Sequence, residues 1–357
     1  MRGWISVASI LCLLGGCSRI DSSHEPTSPA KETRPVENDA ATRRTAKSRQ
    51  SEPTQLSLSQ DTCKNSDDFI NAISQTAPLV VGVAAGEMSN KKFSPKALGT
   101  GIILSSNGLI LTHYHTVGEH SSIRVRLHDG TVRQAEWLGE DRRSDLVLLD
   151  IEGEAYPTPN LASADTLAIG QWVASLGGPF GVQQSVSAGL VSNRSRPYPS
   201  PVESKLVRFV QSDIVIHPGS SGGPLIDSCG RIVAMNSAIL GPGMSFSIRI
   251  DHALTIAEKL LAEGEFERGY VGIVVAVSGS SPKTNQLRIK RVVEGSPAAK
   301  AGLKTGDVIT AIDKKSLSSE FDIKWLVAIT EPGELLSVSI LRGNTAMLKS
   351  VEVDSSP

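Results

Sequence analysis

Between residues 77 and 250 the chain is a succession of short apolar runs, rich in β-branched residues and closed by turns that contain glycine, asparagine or proline. Leu79 to Ala85 is the first. Gly101 to Leu104 and Leu109 to Thr112 flank Ser105-Ser106-Asn107-Gly108, a pattern that predicts a hairpin on an Asn-Gly turn. Ile123 to Leu127 alternates with Arg124 and Arg126, and Asp129-Gly130 supplies another turn. Leu146 to Ile151, Trp172 to Leu176, Val186 to Val191, Leu206 to Val210, Arg231 to Met235 and Ser245 to Ile250 continue the series. Evenly spaced strands of this length predict an all-β barrel or sandwich. His252 to Glu263 then reads as a helix, with Leu254, Ala257, Leu260 and Leu261 on one face.

A smaller unit follows. Val271 to Val277, Leu287 to Val293, Val308 to Ile312, Leu335 to Leu341 and Ala346 to Val353 read as strands. Ser296-Pro297-Ala298-Ala299 opens a short helix, with serine as N-cap and proline in the first turn. Ser319 to Thr330 is a second helix, stopped by Pro332 and Gly333. The length of 357 residues accommodates two domains of about 150 residues with extra segments. Hydrophobic residues at 39% and charged residues at 20% support packed cores. Lys plus Arg is 36 against 37 Asp plus Glu, a net charge of -1, which argues against a nucleic-acid binder. Aromatic residues at 4% also fit poorly with a base-stacking surface.

The N-terminus reads as a targeting segment. Arg2 is followed by an apolar run from Trp4 to Leu14, too short to span a bilayer. Leu14-Gly15-Gly16-Cys17 resembles the lipobox of bacterial lipoproteins, which implies cleavage and lipidation at Cys17. Residues 1–17 are therefore expected to be a lipoprotein-type signal peptide. Residues 18–62 are rich in Ser, Thr, Pro, Glu, Lys and Arg and are expected to form a disordered polar tether. The expected location is the periplasm or cell envelope, with membrane attachment through the lipid.

The chemistry concentrates at Gly219-Ser220-Ser221-Gly222-Gly223-Pro224. A serine between glycines sits on a tight turn with its hydroxyl exposed, and neighbouring backbone N–H groups can converge on a developing oxyanion. Serine is a weak nucleophile at neutral pH and needs a base, which in turn needs an orienting group. Leu111-Thr112-His113-Tyr114-His115 places a histidine after a strand, and Ser144-Asp145-Leu146 places a carboxylate at a strand's start. The order His, Asp, Ser is that of the chymotrypsin-type template.

These segments resemble HtrA (Deg) serine proteases over roughly residues 65–357. Thr112-His113-Tyr114-His115-Thr116, Asp145-Leu146-Val147-Leu148, Gly177-Gly178-Pro179-Phe180-Gly181 and Gly219 to Leu225 match the family's segments in order, and Gly230 to Ile239 resembles the strand after the nucleophile. The resemblance implies an all-β two-barrel chymotrypsin-like protease domain over 63–262, followed by a small α+β PDZ domain over 263–357. It implies Ser221 as nucleophile, His115 as general base and then acid, and Asp145 as the group that orients it. Gly219 and Ser221 would supply the oxyanion hole. Ile216 and Ile239 would wall the specificity pocket, implying cleavage after Val, Ala or Ile. His113, Thr116, Gly178 and Ser220 depart from the family pattern (His113 and Ser220 stand where it has Asn), and none removes a catalytic atom.

Rival readings of the same residues fare worse. An α/β-hydrolase elbow requires a histidine after the serine and a helix after the turn, but Pro224-Leu225-Ile226 runs into Asp227-Ser228-Cys229-Gly230. His113, His115 and His120 lack an acidic partner at metal spacing and read as exposed loop histidines, so no metal and no cofactor is expected. His217 reads as a surface loop residue. Cys63 and Cys229 could pair after export, but sequence cannot bring their Cα atoms within ~7 Å, so both are read as free thiols.

Arg268-Gly269-Tyr270-Val271-Gly272-Ile273 resembles the carboxylate loop of HtrA PDZ domains, and Gly295 to Ile309 resembles the PDZ core. Tyr270, Val271, Gly272 and Ile273 are the expected peptide-binding residues, with Val271 and Ile273 lining a groove that faces the 319–330 helix. Which of Trp325, Leu326 and Ile329 closes the groove stays open. The expected function is an exported, ATP-independent serine endopeptidase acting on misfolded or exposed polypeptides, in protein quality control. Its partners would be polypeptide substrates and peptide C-termini, and the resemblance adds a homotrimer. The alternative is a peptide-binding stress sensor or chaperone with little proteolysis.

Overall fold

The computed structural model describes residues 57–59, 69–118, 120–178, 184–197, 206–278 and 286–356. The expected signal peptide with Cys17, most of the tether, Cys63 and Pro179-Phe180-Gly181 lie outside the described residues.

The strands form two closed antiparallel barrels. The first contains β1 (Val80–Ser89), β2 (Lys92–Ile103), β3 (Leu109–His113), β4 (Ser122–Arg126), β5 (Val132–Asp141) and β6 (Leu146–Ile151), closed in the order β1-β2-β3-β6-β5-β4. The second contains β7 (Trp172–Gly177), β8 (Ser185–Pro197), β9 (Arg208–Ser212), β10 (Pro224–Asp227), β11 (Ile232–Gly241) and β12 (Met244–Arg249), closed in the order β10-β11-β12-β9-β8-β7. Closure removes the exposed edges that an open sheet of such apolar strands would present.

Two helices were not expected from the pattern of apolar runs. One, α1 (Phe69–Thr76), packs on the β10–β11 turn, where the Thr76 hydroxyl donates to the Gly230 carbonyl at 3.4 Å. The other, α2 (Tyr114–Val117), is a single turn after β3. Strand β5 was also missed beyond its leading turn. Its charged solvent-facing residues, Arg133 and Glu136, and the half-buried Glu140 blur the apolar alternation.

The expected helix after the second barrel is α3 (Ile250–Glu263). It buries Ala253, Leu254, Ile256, Ala257 and Leu260 against the same core that fills the first barrel. Cys229 corrects an expectation. It is disulfide-bonded rather than free, and its partner lies outside the described residues. The separation of two cysteines along a sequence carries no information on their distance, which tertiary packing alone sets.

The smaller unit has its own core, built around Ile289, Leu303, Ile312, Ile323, Leu336 and Ile340. Strands β13 (Gly269–Tyr270), β14 (Ile273–Ser278), β15 (Gln286–Val292), β16 (Val308–Ile312), β17 (Lys315–Ser316), β18 (Leu335–Arg342), β19 (Thr345–Glu352) and β20 (Asp354–Ser355) are joined by α4 (Pro297–Lys300) and α5 (Glu320–Ile329). The main sheet runs β14-β15-β16-β18-β19, so β14 is an edge. Helix α5 begins with a capping box. The Ser319 hydroxyl accepts from the Asp322 N–H, and the Asp322 carboxylate accepts from the Ser319 N–H.

Among the described residues, this unit meets the barrels and α3 at two buried contacts and at a more exposed Lys259–Glu331 ion pair. At the first, the Arg268 guanidinium donates to both carboxylate oxygens of Asp141 at 2.8 and 2.6 Å and to the Ser144 hydroxyl at 3.2 Å. Both charged side chains are nearly buried, at 8% and 5% exposure. At the second, the His252 ring of α3 stacks on Trp325 of α5 at 4.0 Å, beside Phe321 at 5.9 Å. Arg208 lies over Phe321 and donates to Asp322 at 2.9 Å.

The Arg268–Asp141 pair generates one prediction. Replacing one member leaves the other charge buried without its partner, so Arg268→Met should lower the unfolding free energy by about 3–5 kcal/mol. Urea denaturation of the two proteins checks this, and a change below ~1 kcal/mol would mean water already reaches the pair.

The His252 contact generates a second prediction. Burial pushes the His252 pKa down to about 4, against the pull of Asp251, and its Nδ1 accepts a hydrogen bond from the Arg208 N–H at 3.2 Å. Only a neutral ring can accept that bond. Between pH 6.5 and about 4 the unfolded chain binds the extra proton and the folded chain does not. This group therefore contributes stability that is full above pH 6.5 and falls as pH drops toward 4, by at most about 3 kcal/mol. The melting temperature of His252→Phe should fall less between pH 7 and 5 than that of the unmutated protein. Parallel falls would refute the assignment.

Candidate active site

The site lies where the two barrels meet. Strand β3 delivers His113 as its last residue, and α2 carries His115 one position beyond Tyr114. Asp145 stands immediately before β6 with φ of 62°, in the left-handed region that a non-glycine residue adopts only when its surroundings hold it there. Those surroundings are hydrogen bonds. The Asp145 carbonyl accepts from the Tyr114 N–H at 3.1 Å, and its own N–H donates to the Arg142 carbonyl at 3.3 Å. Its carboxylate accepts from the His115 backbone N–H at 2.9 Å and lies 2.7 Å from His115 Nδ1. A proton on Nδ1 donates to that carboxylate and leaves Nε2 with a lone pair. The imidazole is thereby prepared to accept a proton from a nucleophile.

Ser221 comes from the segment between β9 and β10. His217-Pro218-Gly219-Ser220 forms a turn closed by the Ser220 N–H donating to the His217 carbonyl at 2.9 Å. Proline at the second position and Gly219 at φ of 93° identify a type II turn, which requires a glycine-like residue at its third position. Gly222 is required for a second reason. A Cβ there would lie 2.0 Å from the Thr100 carbonyl oxygen, so the Ser221 turn presses directly on β2. Neither the Gly219 nor the Ser221 N–H donates to a protein acceptor among the described residues, which leaves both available to an oxyanion. The Ser221 hydroxyl donates to the Ser237 carbonyl at 3.4 Å. Rotation about its Cα–Cβ bond is the motion that would redirect it.

His113 corrects an expectation. It is fully buried, not an exposed loop histidine. Its Nδ1 lies 2.8 Å from the Asp145 carbonyl and 3.4 Å from the Asp145 carboxylate, its Nε2 lies 2.7 Å from the Asn236 carbonyl, and its ring stacks on His115 at 5.0 Å. Burial holds its pKa below the usual histidine range, although the Asp145 carboxylate pulls the other way. His113, His115 and Asp145 bring potential ligand atoms within 4.8 Å of one another. The neutral His113 ring lies between two carbonyl oxygens, to one of which its single N–H can donate, and His115 Nδ1 faces the Asp145 carboxylate.

The expected pocket residues part company. Ile216 is buried in the second barrel's core with Ile214, and Ile239 is 45% exposed on β11 beyond the bulge between Asn236 and Ala238. His217 is exposed, as expected. Sequence reasoning passed over Thr100, Thr112 and Asn236, all fully buried at the junction. The only available signal was a polar residue inside an apolar strand pattern.

In the smaller unit, Tyr270 pairs with Asp354. Val271 corrects an expectation: its side chain is buried in the domain core, so only its backbone could meet a ligand. Gly272 has φ of 77°, and Ile273 opens the edge strand β14 and packs partly on the core. Of the three helix residues left open, Leu326 packs on this core, whereas Trp325 and Ile329 pack on the core of the barrels.

Residues 99–235 match the trypsin-like peptidase domain family and residues 269–354 match the PDZ domain family. The chain is 37% identical over 274 residues to a probable periplasmic serine endoprotease DegP-like of Pseudomonas fulva, covering 73% of this chain and 57% of that protein. It is 35% identical over 339 residues to the protein of that name from Pseudomonas putida strain GB-1, covering 81% and 70%. It thus spans a little over half the length of the Pseudomonas fulva relative. Among solved structures it resembles the HtrA-type protease AlgW with tripeptide, at TM-score 0.70 and 30% identity over 81% of this chain and 97% of that one. The serine endoprotease from Yersinia pestis superposes at TM-score 0.57 with 28% identity, covering 81% and 98%. Two closed barrels, a PDZ-type unit after them, and relatives matched across both mean that the chain belongs to the HtrA (DegP-like) family of trypsin-like serine endoproteases.

Proposed function

We propose that the protein is a periplasmic, ATP-independent serine endopeptidase that cuts misfolded or exposed polypeptides. The observation that carries this reading is the His115 Nδ1–Asp145 carboxylate pair at 2.7 Å, joined by a serine turn whose Gly222 N–H donates to the Asn236 carbonyl that also faces His113. In the proposed mechanism Ser221 attacks the scissile carbonyl while His115 Nε2 takes its proton. Asp145 holds the imidazole tautomer and stabilises the imidazolium, and the Gly219 and Ser221 N–H groups stabilise the oxyanion. His115 then returns the proton to the leaving amine, and water completes the second half-reaction in the same way.

Ile216 and Ile239 are proposed as aliphatic pocket walls, Ile216 from the buried side and Ile239 from the rim, favouring cleavage after Val, Ala or Ile. The PDZ domain is proposed to take a peptide C-terminus as an added strand beside the edge strand β14, with backbone groups of the 270–273 loop holding the carboxylate. Domain limits of 63–262 and 263–357, a homotrimer and a lipid anchor at Cys17 complete the proposal. The periplasmic names of the relatives support export, and the lipobox-like sequence supports the anchor.

A sensor or chaperone role without proteolysis is the second reading. It is favoured by one observation, the Ser221 hydroxyl directed at the Ser237 carbonyl.

Cleavage of β-casein separates these readings. The unmutated protein should cut mainly after Val, Ala or Ile, as read by mass spectrometry of the products, and Ser221→Ala should not cut. Asp145→Asn should lose about 10³- to 10⁴-fold in kcat, because the wrong tautomer of His115 would face the serine. Absence of cleavage by the unmutated protein, with and without added C-terminal peptides, would move the sensor reading ahead.

A further inference from the structure

Thr100 lies near the end of β2, is fully buried, and belongs to none of the groups given a role above. Its hydrogen bonds nevertheless run to the nucleophile turn. Its N–H donates to the Ser221 carbonyl at 2.9 Å. Its hydroxyl donates to the Gly219 carbonyl at 2.7 Å and accepts from the Gly178 N–H at 3.0 Å. Its own carbonyl accepts from the Thr112 hydroxyl at 2.8 Å, which anchors it to β3.

Peptide planarity converts these bonds into constraints on the proposed oxyanion donors. The Gly219–Ser220 peptide is held at both ends, its carbonyl by the Thr100 hydroxyl and its N–H by the His217 carbonyl. The Ser221–Gly222 peptide is held likewise, its carbonyl by the Thr100 N–H and its N–H by the Asn236 carbonyl at 2.8 Å. The Ser220–Ser221 peptide, which carries the Ser221 N–H, is suspended between these two fixed planes. The Gly219 N–H enters the first fixed plane through a single residue. One buried threonine of the first barrel thus touches the backbone on each side of the second barrel's nucleophile.

We propose that Thr100 is a positioning residue of the oxyanion hole. Its hydroxyl and amide hold the nucleophile turn so that the Gly219 and Ser221 N–H groups converge, and its hydroxyl ties that turn to Gly178. Preorganised donors are the part of such a site that must not reorganise as charge develops. Losing the hydroxyl frees the Gly219 carbonyl and the Gly178 N–H together, so the turn relaxes even though the donors remain. The inference rests on the endopeptidase reading.

The test compares the unmutated protein with Thr100→Val, which keeps the shape and loses the hydroxyl, and Thr100→Ser, which keeps the hydroxyl. A fluorogenic peptide gives kcat and KM. A peptide boronic acid, whose tetrahedral adduct on Ser221 places an oxygen in the hole, reports the hole itself. Binding of an uncleaved substrate peptide to Ser221→Ala, with and without Thr100→Val, reports ground-state affinity. Thr100→Val should lose about 10- to 100-fold in kcat with KM within about 3-fold, and lose boronate affinity by a similar factor. Thr100→Ser should stay within about 3-fold of the unmutated protein in both. Unchanged kcat or boronate affinity in Thr100→Val overturns the inference. So does equal damage in Thr100→Ser, or a loss of ground-state peptide binding that accounts for the whole effect. Should Thr100→Val fail to fold, Thr100→Ala takes its place under the same criteria. An unmutated protein that cuts nothing defeats the endopeptidase reading instead, which keeps the two failures distinct.

Discussion

A site assembled across two barrels buries polar groups at the seam, and each of them has to find a partner there. Leaving one unpaired costs about 1–3 kcal/mol. Here the partners are shared between barrels. The Asn236 carbonyl accepts from the Gly222 N–H at 2.8 Å and lies 2.7 Å from His113 Nε2, so one carbonyl of the second barrel meets a residue from each. The Asn236 side chain donates to the Ser175 hydroxyl at 2.7 Å and accepts from the Ser247 hydroxyl at 3.1 Å, tying β11 to β7 and β12. With Thr100 and Thr112 these groups form a buried polar network. Such networks rigidify a core when fully satisfied. The spacing between His115, Asp145 and Ser221 is inherited from this seam, since no single element carries all three.

The second constraint is the turn that presents Asp145. Its left-handed backbone conformation is over-determined by bonds on both sides, from Tyr114 and Arg142. Arg268 reaches the start of the same turn through Asp141 and Ser144. The segment that begins the PDZ-type unit is therefore part of the packing around the Asp145 turn.

The interface of α3 with α5 has a different character. It is an aromatic stack whose central ring is a histidine, flanked by Arg208, Arg249, Asp251 and Asp165. Stacking and a single backbone N–H hold the neutral ring. The Arg268 contact, by contrast, is a bidentate ion pair. The first contact thus rests on a buried ion pair, whereas the second combines a neutral histidine ring with the Arg208–Asp322 ion pair.

Much of the fold was legible in the sequence, because closed barrels leave a period-two pattern with glycine punctuation and a PDZ helix carries its own cap, as at Ser296. The pairing of His115 with Asp145 was legible for a chemical reason: the role proposed for each demands one residue type in a restricted local setting. What tertiary structure alone decided lies in side chains whose partners are distant along the chain. His113 read as a loop histidine and is buried between two carbonyls. Cys229 read as a free thiol and is disulfide-bonded. Val271 read as a groove residue and fills a core. Thr100 was given no reading, yet it meets Gly219 across 119 residues of sequence. Local sequence encodes propensity and periodicity, whereas burial and hydrogen-bond partnership arise only when β2, β3, the turn before β6 and the nucleophile turn converge.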